Sequence, residues 1–579
     1  MKRVILIVLF GLTALAQRRP LVPGDLSLWR AITDPRINAE GQSVVYVENR
    51  VAGAANSPYS NLWLADTKGK QRRQLTTGEW RDWSPRWSPD GTRIAFLSDR
   101  SGKTQMYAMQ AEGASSAVVI ASSEIVPVEF AWSPDGKNLA FLAGGAIYTI
   151  AAAGGAAQRL TATNELEFTG EPAWMPDGRS LVCAAKGQIF NIRIADHAVR
   201  ALTRNEQRNS DPVPSPDGSK IAWIAAPVKP QNYVTRHLWV MNADGSRDRM
   251  LSGSLDRDVM HPQWSNDSRT VWFLADDQGS THMYAGRNDG TARQGTNRVE
   301  RLSWFSLADN GRAVTVRSTA TEGGNLITFT TDVPGGVVTL AEPNDSLMAE
   351  RHLGPVEEIH HESEGKSIQA YLVKPPQFDA AKKYPLLLDI RDDPREMYGA
   401  EFHLRQQIFA SAGYVVLCAN PRGTPGYGEE FGHLLRTRFP GDDADDLLRG
   451  VDYVIKQGYI DPKRVDVTGG LVAAWLIGHT DRFTAAVLRR PLVDWAADIP
   501  RAVQSLGVLP WDDPELYMKR SPIYSSGTIR TRTLVLAANP DGQSEQMYYA
   551  LQVRKVESAL IRPSSTVEEI EAILKWLGK

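Results

Sequence analysis

Cysteine is nearly absent from this chain: Cys183 and Cys418 are the only two in 579 residues. Two are too few for a disulfide framework. Each sits in an apolar strand-like segment of a different predicted domain, so both read as buried free thiols. Histidine is also scarce, with ten in all and none after His479. Neither sign of charge is in excess, since 65 Lys and Arg against 67 Asp and Glu leave a net charge of −2. That balance excludes the electrostatic footprint of a nucleic-acid or anionic-membrane binder. There is no phosphate-cradling loop, no Cys/His cluster and no basic-aromatic stripe, so no cofactor and no metal are expected.

The apolar run Val4–Leu12 follows Lys2-Arg3 and precedes Ala14-Leu15-Ala16. This is the pattern of a secretory signal peptide over 1–16, cleaved before Gln17. The expectation is an exported protein, periplasmic or secreted, with no membrane attachment after cleavage.

What the sequence has in abundance is a turn. Trp87-Ser88-Pro89-Asp90-Gly91, Trp132-Ser133-Pro134-Asp135-Gly136, Trp174-Met175-Pro176-Asp177-Gly178 and Pro214-Ser215-Pro216-Asp217-Gly218 are clear copies. Weaker ones are Asn38-Ala39-Glu40-Gly41, Trp264-Ser265-Asn266-Asp267-Ser268 and Leu307-Ala308-Asp309-Asn310-Gly311. Their spacing of about 40–50 residues is that of propeller blades. Proline presets φ, aspartate caps the turn's amides and glycine accepts positive φ. Apolar strands such as Arg93–Ser98, Asn138–Ala143 and Lys220–Ile224 follow the turns. Seven copies predict about seven blades over 17–350, each too small to bury its own face.

Near Arg351 the pattern changes to a hairpin over 357–374 with Glu364-Gly365 at its turn. Apolar strands then alternate with helical segments, which predicts a mostly parallel sheet covered on both faces over 351–579. Two stretches there carry a resemblance, Val451–Pro462 (VDYVIKQGYIDP) and Trp475–Phe483 (WLIGHTDRF), with support from Asn420–Gly428 and Asp25–Asp34. They are similar to the prolyl oligopeptidase family of serine peptidases, nearest to its acylaminoacyl-peptidase and dipeptidyl-peptidase-V branch. The resemblance spans essentially the whole mature chain. It implies a β-propeller joined to an α/β-hydrolase domain, with a Ser…Asp…His triad in that chain order.

Measured against that family, the chemical parts are missing. Members read Gly-Gly-Ser-Tyr-Gly-Gly at the nucleophile, whereas this chain reads Gly469-Gly470-Leu471-Val472-Ala473 and is about four residues short, roughly one helical turn. Asp541 occupies the acid's place, but about five residues of the loop beyond it are absent, and Asp-Gly is also simply a turn. No histidine stands between the last strand and the last helix, while His479 belongs to the helix after the elbow as a structural residue. Where the family has His-Gly-Gly-Pro before its oxyanion hole, this chain has Arg391-Asp392-Asp393-Pro394. Carboxylates at that loop oppose a developing oxyanion.

Three readings remain open. The first is a catalytically inactive homologue that binds peptides or a protein partner. The second is an active serine-type exopeptidase using a serine elsewhere, such as Ser505, Ser544 or Ser564, with a lysine or carboxylate base. The third is a purely structural product. Arg422, in Pro421-Arg422-Gly423, is a candidate for binding in the cleft or for a buried ion pair. The acidic run Asp442–Asp446 reads as a solvated cap on a helix N-terminus. His360 and His361 alternate faces of a strand and cannot share one ion.

Overall fold

A computed structural model describes residues 18–50, 58–113, 116–121, 125–162, 166–228, 233–287, 289–331, 336–391, 396–435 and 437–578. The segment 1–16, expected above to be a signal peptide, lies outside them. Seven four-stranded antiparallel blades occupy 30–74, 82–121, 129–159, 168–201, 207–250, 259–294 and 301–341. Each blade pairs its strands in chain order, so every blade is a simple meander.

The repeated turn is built alike in four blades. The Ser88, Ser133, Ser215 and Ser265 hydroxyls donate to Asp90, Asp135, Asp217 and Asp267 at 2.5–2.6 Å. Each serine oxygen also accepts the amide that opens the next strand, at 2.9–3.1 Å. The serine hydroxyl and the following amides hold the Asp217 carboxyl down at about 2. Gly91, Gly136, Gly178 and Gly218 take φ between 66° and 70°, which a Cβ would disfavour.

The tryptophan that starts the motif joins blades together. Trp87, Trp132, Trp174 and Trp264 each donate Nε1–H to a carbonyl of the preceding blade, respectively on Arg36, Arg86, Ala131 and Val213. Between successive blades lie separate apolar clusters, and one of them packs Ile32, Val44 and Tyr46 of the first blade on Val314, Val316 and Leu326 of the seventh. The ring is therefore closed by packing, not by a strand shared between first and last blades.

The second domain holds an eight-stranded sheet. In chain order the strands are β1 (Val356–Ser363), β2 (Lys366–Val373), β3 (Tyr384–Asp389), β4 (Val415–Ala419), β5 (Ile460–Gly469), β6 (Ala485–Arg489), β7 (Arg532–Leu536) and β8 (Ser558–Ile561). Their spatial order is β1-β2-β4-β3-β5-β6-β7-β8, antiparallel as far as β4 and parallel thereafter. The α-helices of seven residues or more are α1 (Leu404–Ser411), α2 (Asp442–Lys456), α3 (Leu471–His479), α4 (Ile499–Leu506), α5 (Pro514–Arg520), α6 (Gly542–Val553) and α7 (Thr566–Leu577). One apolar layer packs α2 and α3 on the sheet, and the opposite layer packs α1 and α7. Cys183 and Cys418 are both free and buried, and burial pushes both thiols up, away from nucleophilic thiolate.

One boundary moves. Residues ahead of the first blade belong structurally to the second domain, not to a propeller starting at 17. Leu21 and Leu26 sit in the apolar layer of α1 and α7, and Arg19 pairs in parallel with Arg351. Asp25 accepts Arg351 Nη2 at 2.9 Å and Nε at 3.0 Å, with both residues 2% exposed or less. Burial alone would raise the Asp25 carboxyl, but hydrogen bonds from Arg351 and Val22 leave it below the usual range. The domains also meet through Ala400 N–H on the Gly279 carbonyl at 2.8 Å and through Phe402 N–H on the Ser318 hydroxyl oxygen at 2.9 Å.

Candidate active-site cleft

From β3 the chain turns back through α1 to β4 on one side; from β5 it passes through α3 to β6 on the other. The carboxyl ends of β3 and β5 therefore flank a topological switch point, where open α/β sheets bind ligands. A cavity of about 40 Å3 lies there, lined by Ile390, Tyr398, Arg422, Asp443, Leu471 and Val472 among others. It has room for a few water molecules.

The strand-to-helix junction of β5 and α3, where the family resemblance places a nucleophile, carries Leu471. Val465, Val467 and Thr468 are fully buried in β5. Gly470 then leads directly into α3 at φ −94°, ψ −117°. Gly469 passes so close to β3 that a Cβ there would lie 2.9 Å from the Ile390 Cβ. Leu471 is the first residue of α3, 6% exposed, and presents a hydrocarbon to the cavity.

Asp541 follows β7 and serves as the N-cap of α6. Its carboxylate accepts Ser544 N–H at 3.1 Å, the Ser544 hydroxyl at 2.5 Å and Ala538 N–H at 3.2 Å. Between β8 and α7, the segment Arg562-Pro563-Ser564-Ser565 is another helix cap. The Glu568 carboxylate accepts both Ser564 N–H and its hydroxyl at 2.7 Å, and Ser565 Oγ accepts Glu568 N–H. His479 stacks on Trp475 with ring centroids 3.7 Å apart and contacts its carbonyl at 2.7 Å, on the exposed side of α3. His361 is buried against the Asp446 carbonyl at 2.9 Å, while His360 is exposed on the other face of β1. Of the three alternative serines, Ser544 is fully buried and Ser564 is exposed beside Glu568. Ser505 lies half-buried on α4. Among the described residues, no group of three or more His, Cys, Asp or Glu side chains is arranged to hold a metal ion.

The charged residues around the cleft are largely committed to one another. Arg391 donates to Glu396 at 2.9 Å and Glu401 at 2.8 Å, and covers the Tyr398 ring at 4.1 Å. Asp392 and Asp393 lie outside the described residues. Arg422 lines the cavity, yet its guanidinium donates to Asp446 at 2.6 and 2.9 Å and to Glu364 at 3.0 Å. The reading of Asp442–Asp446 as a solvated cap is corrected here, because Asp443 and Asp446 are 2% and 0% exposed. These two face the sheet with Leu447, Val451 and Val454, one turn apart on α2. Burial pushes the Asp443 carboxyl up to about 7, while it accepts Gly441 N–H at 2.7 Å.

A second buried pair was missed by sequence reasoning. Asp389, at the end of β3, lies 3.5 Å from Arg489 at the end of β6, and Arg489 also donates to the Ile390 carbonyl at 2.7 Å. An aspartate closing an otherwise apolar strand (LLLD) was the available signal.

Fold and cleft together define a seven-bladed propeller set on an α/β-hydrolase. Residues 400–564 match the prolyl oligopeptidase family model, and residues 31–146 and 118–304 match the TolB beta propeller domain. The C-terminal domain thus belongs to the prolyl oligopeptidase family, and the chain is a homologue of its peptidases. It is 27% identical to the Bacillus subtilis uncharacterized peptidase YuxL, covering 94% of this chain and 95% of that protein. That alignment runs over 637 positions, more than this chain's 579 residues, so part of the relative has no counterpart here. Dipeptidyl-peptidase 5 of Porphyromonas gingivalis is 26% identical over 47% of this chain and 41% of its own length. In structure, the acylaminoacyl peptidase of Pyrococcus horikoshii superposes with a TM-score of 0.82 at 18% identity, covering 96% and 97% of the two chains. A puromycin-hydrolyzing peptidase of Mycobacterium tuberculosis gives 0.75 at 17% identity, covering 97% and 96%. These last two likenesses concern the fold.

Proposed function

We propose that this chain is a catalytically silent, exported homologue of the dipeptidyl- and acylaminoacyl-type peptidases, retained as a binding scaffold for peptides or a protein partner. The observation that carries the reading is Leu471, a buried hydrocarbon on the first turn of α3 where the family's nucleophile stands. The rest of the triad supports it. Asp541 is used as a helix cap, and the junction before α7 contains no imidazole. Acyl transfer needs a base within hydrogen-bond reach of the nucleophile, and none can be assembled from these parts.

The test is labelling with a fluorophosphonate, which requires only an activated serine, alongside hydrolysis of acylaminoacyl and dipeptidyl chromogenic substrates. Wild type and Leu471→Ser should both remain unlabelled and show no turnover above background. Loss of a triad member typically costs about 10⁴–10⁶ in rate, and the serine alone restores none of its partners. Fluorophosphonate-sensitive turnover by the wild type would overturn the proposal and place the nucleophile at another serine.

A further inference from the structure

We propose that the propeller channel carries, on the side formed by blades five to seven, a binding site for an organic cation: an alkylammonium or guanidinium group. This does not rest on the cleft being silent, because the site lies within the other domain.

The channel encloses a cavity of about 370 Å3 lined by the first strands of six blades, within the ordinary range of small-molecule sites. These strands share a device. In the first, second, fourth, fifth, sixth and seventh blades the pairing register shifts midway along the first strand. At each shift one residue takes a left-handed conformation: Asp34, Ser84, Gly170, Asp211, His261 and Trp304. Such bulges re-aim side chains out of the strand's alternation, here at a common level around the ring.

The two sides of the ring differ. On one side the charges neutralise each other. Arg86 donates to Asp34 at 2.9 Å and to both Glu171 oxygens at 2.8 and 3.0 Å, and Arg36 donates to Asp34 at 2.6 Å. Glu129 stands 3.9 Å from the same Arg86, with its carboxyl raised by burial and by Glu171. Arg86 is thereby engaged at all three guanidinium nitrogens, and Arg36 is tied to Asp34 through Nε.

On the other side Asp211 is exposed to the channel and accepts only the Ser210 hydroxyl, at 2.7 Å, among the described residues. Next to it His261 stacks on Trp304, with ring centroids 5.7 Å apart. The Trp304 indole stays 38% exposed although it lines an interior channel. Burial lowers the His261 pKa; Asp211 and Asp34 oppose this and the Arg36 and Arg236 charges add to it, so at neutral pH the imidazole is uncharged and does not repel a cation. A carboxylate without an ionic partner, a neutral imidazole and an open indole face form the donor set of an ammonium or guanidinium site. The cation could arrive as the side chain of a threaded polypeptide or as a free polyamine.

Isothermal titration of the full-length protein with spermidine, and separately with the capped pentapeptide Ala-Ala-Lys-Ala-Ala and its norleucine counterpart, tests this. Binding of at least one lysine or polyamine probe is expected, with none of the norleucine peptide. Heat from spermidine alone identifies a free amine as the ligand, and heat from the lysine peptide identifies a polypeptide side chain. Asp211→Asn and Trp304→Ala should each weaken binding about tenfold or more, while Trp304→Phe keeps most of it. Unchanged circular dichroism and melting midpoint establish that the variants fold. Absence of binding by both cations at about 10 mM, or equal affinity in wild type and folded Asp211→Asn, would overturn the proposal.

Discussion

Removing the guanidinium of Arg422 strands Asp446 at 0% exposure with no countercharge. Breaking one partner of a buried pair costs about 3–5 kcal/mol, whereas replacing both by apolar groups is often close to neutral. Arg422→Met should therefore destabilise the second domain by that order in urea denaturation, and Arg422→Met/Asp446→Leu should recover most of the loss. Asp443 gives a prediction in pH. Its folded pKa of about 7 lies above the ordinary aspartate value of 3.8 because burial disfavours the charged form. Its contribution to stability is accordingly full below the unfolded pKa and is lost as pH rises from about 4 through about 7. Asp443→Asn keeps an oxygen for the Gly441 amide and removes that loss. The variant should gain roughly 1–3 kcal/mol relative to wild type at pH 8, and little at pH 4; equal shifts at both pH values would contradict this. At this scale the sequence was legible where identity alone decides, as at Leu471 and the missing histidine. It was not legible where burial decides. A run of four aspartates reads as solvated until its register with Leu447 and Val451 places Asp443 and Asp446 on the inner face of α2.

Among elements, the repeated turn was read almost residue by residue, because its geometry is local. Proline, aspartate and glycine each act on their own backbone, and the strands Arg93–Ser98 and Asn138–Ala143 form as the pattern predicts. What the local pattern did not contain was the use of the tryptophan, since its hydrogen-bond acceptor lies some forty to fifty residues earlier, in the preceding blade. Trp87→Phe keeps the ring and removes the donor, leaving the Arg36 carbonyl without this partner. A loss of about 1 kcal/mol is expected from thermal or chemical denaturation of the propeller. The shift should recur with Trp132→Phe, where the partner is equivalent, and a null effect at both sites would show that the bond is dispensable. In the second domain β5 begins at Ile460, well ahead of its buried stretch 465–469, because Ile460 already pairs with Tyr384 across a register shift. Pairing across a sheet is likewise invisible to a reading along the chain.

For the molecule as a whole, the buried Asp25–Arg351 pair fastens the chain that enters the propeller to the second domain, beside the direct contact of Ala400 with Gly279. Asp25→Ala leaves Arg351, 2% exposed, with the largely exposed Glu350 carboxylate at 3.1 Å as its remaining ionic partner among the described residues, at a cost of up to about 3–5 kcal/mol. Scanning calorimetry of the wild type should show the two domains melting together. The variant should separate the transitions, and a single endotherm at an unchanged midpoint would refute the assignment. The two-domain architecture was legible from the switch in periodicity near Arg351. The return of residues 19–28 into the second domain was not, because a short segment with three leucines carries no sign of where it docks.

That docking changes what the second domain is for. The propeller is a hoop with one cut, between its seventh and first blades, and no strand crosses the cut. The two cut ends leave the hoop and meet again at the Arg19–Arg351 pairing, so the hydrolase fold works as a buckle. Held there, the ends have already lost the freedom that closing roughly 300 residues of chain would otherwise cost, about 5 kcal/mol by polymer scaling. A buckle needs a sound core and a firm grip on both ends. On that account the layers around the sheet are constrained by the hoop they fasten.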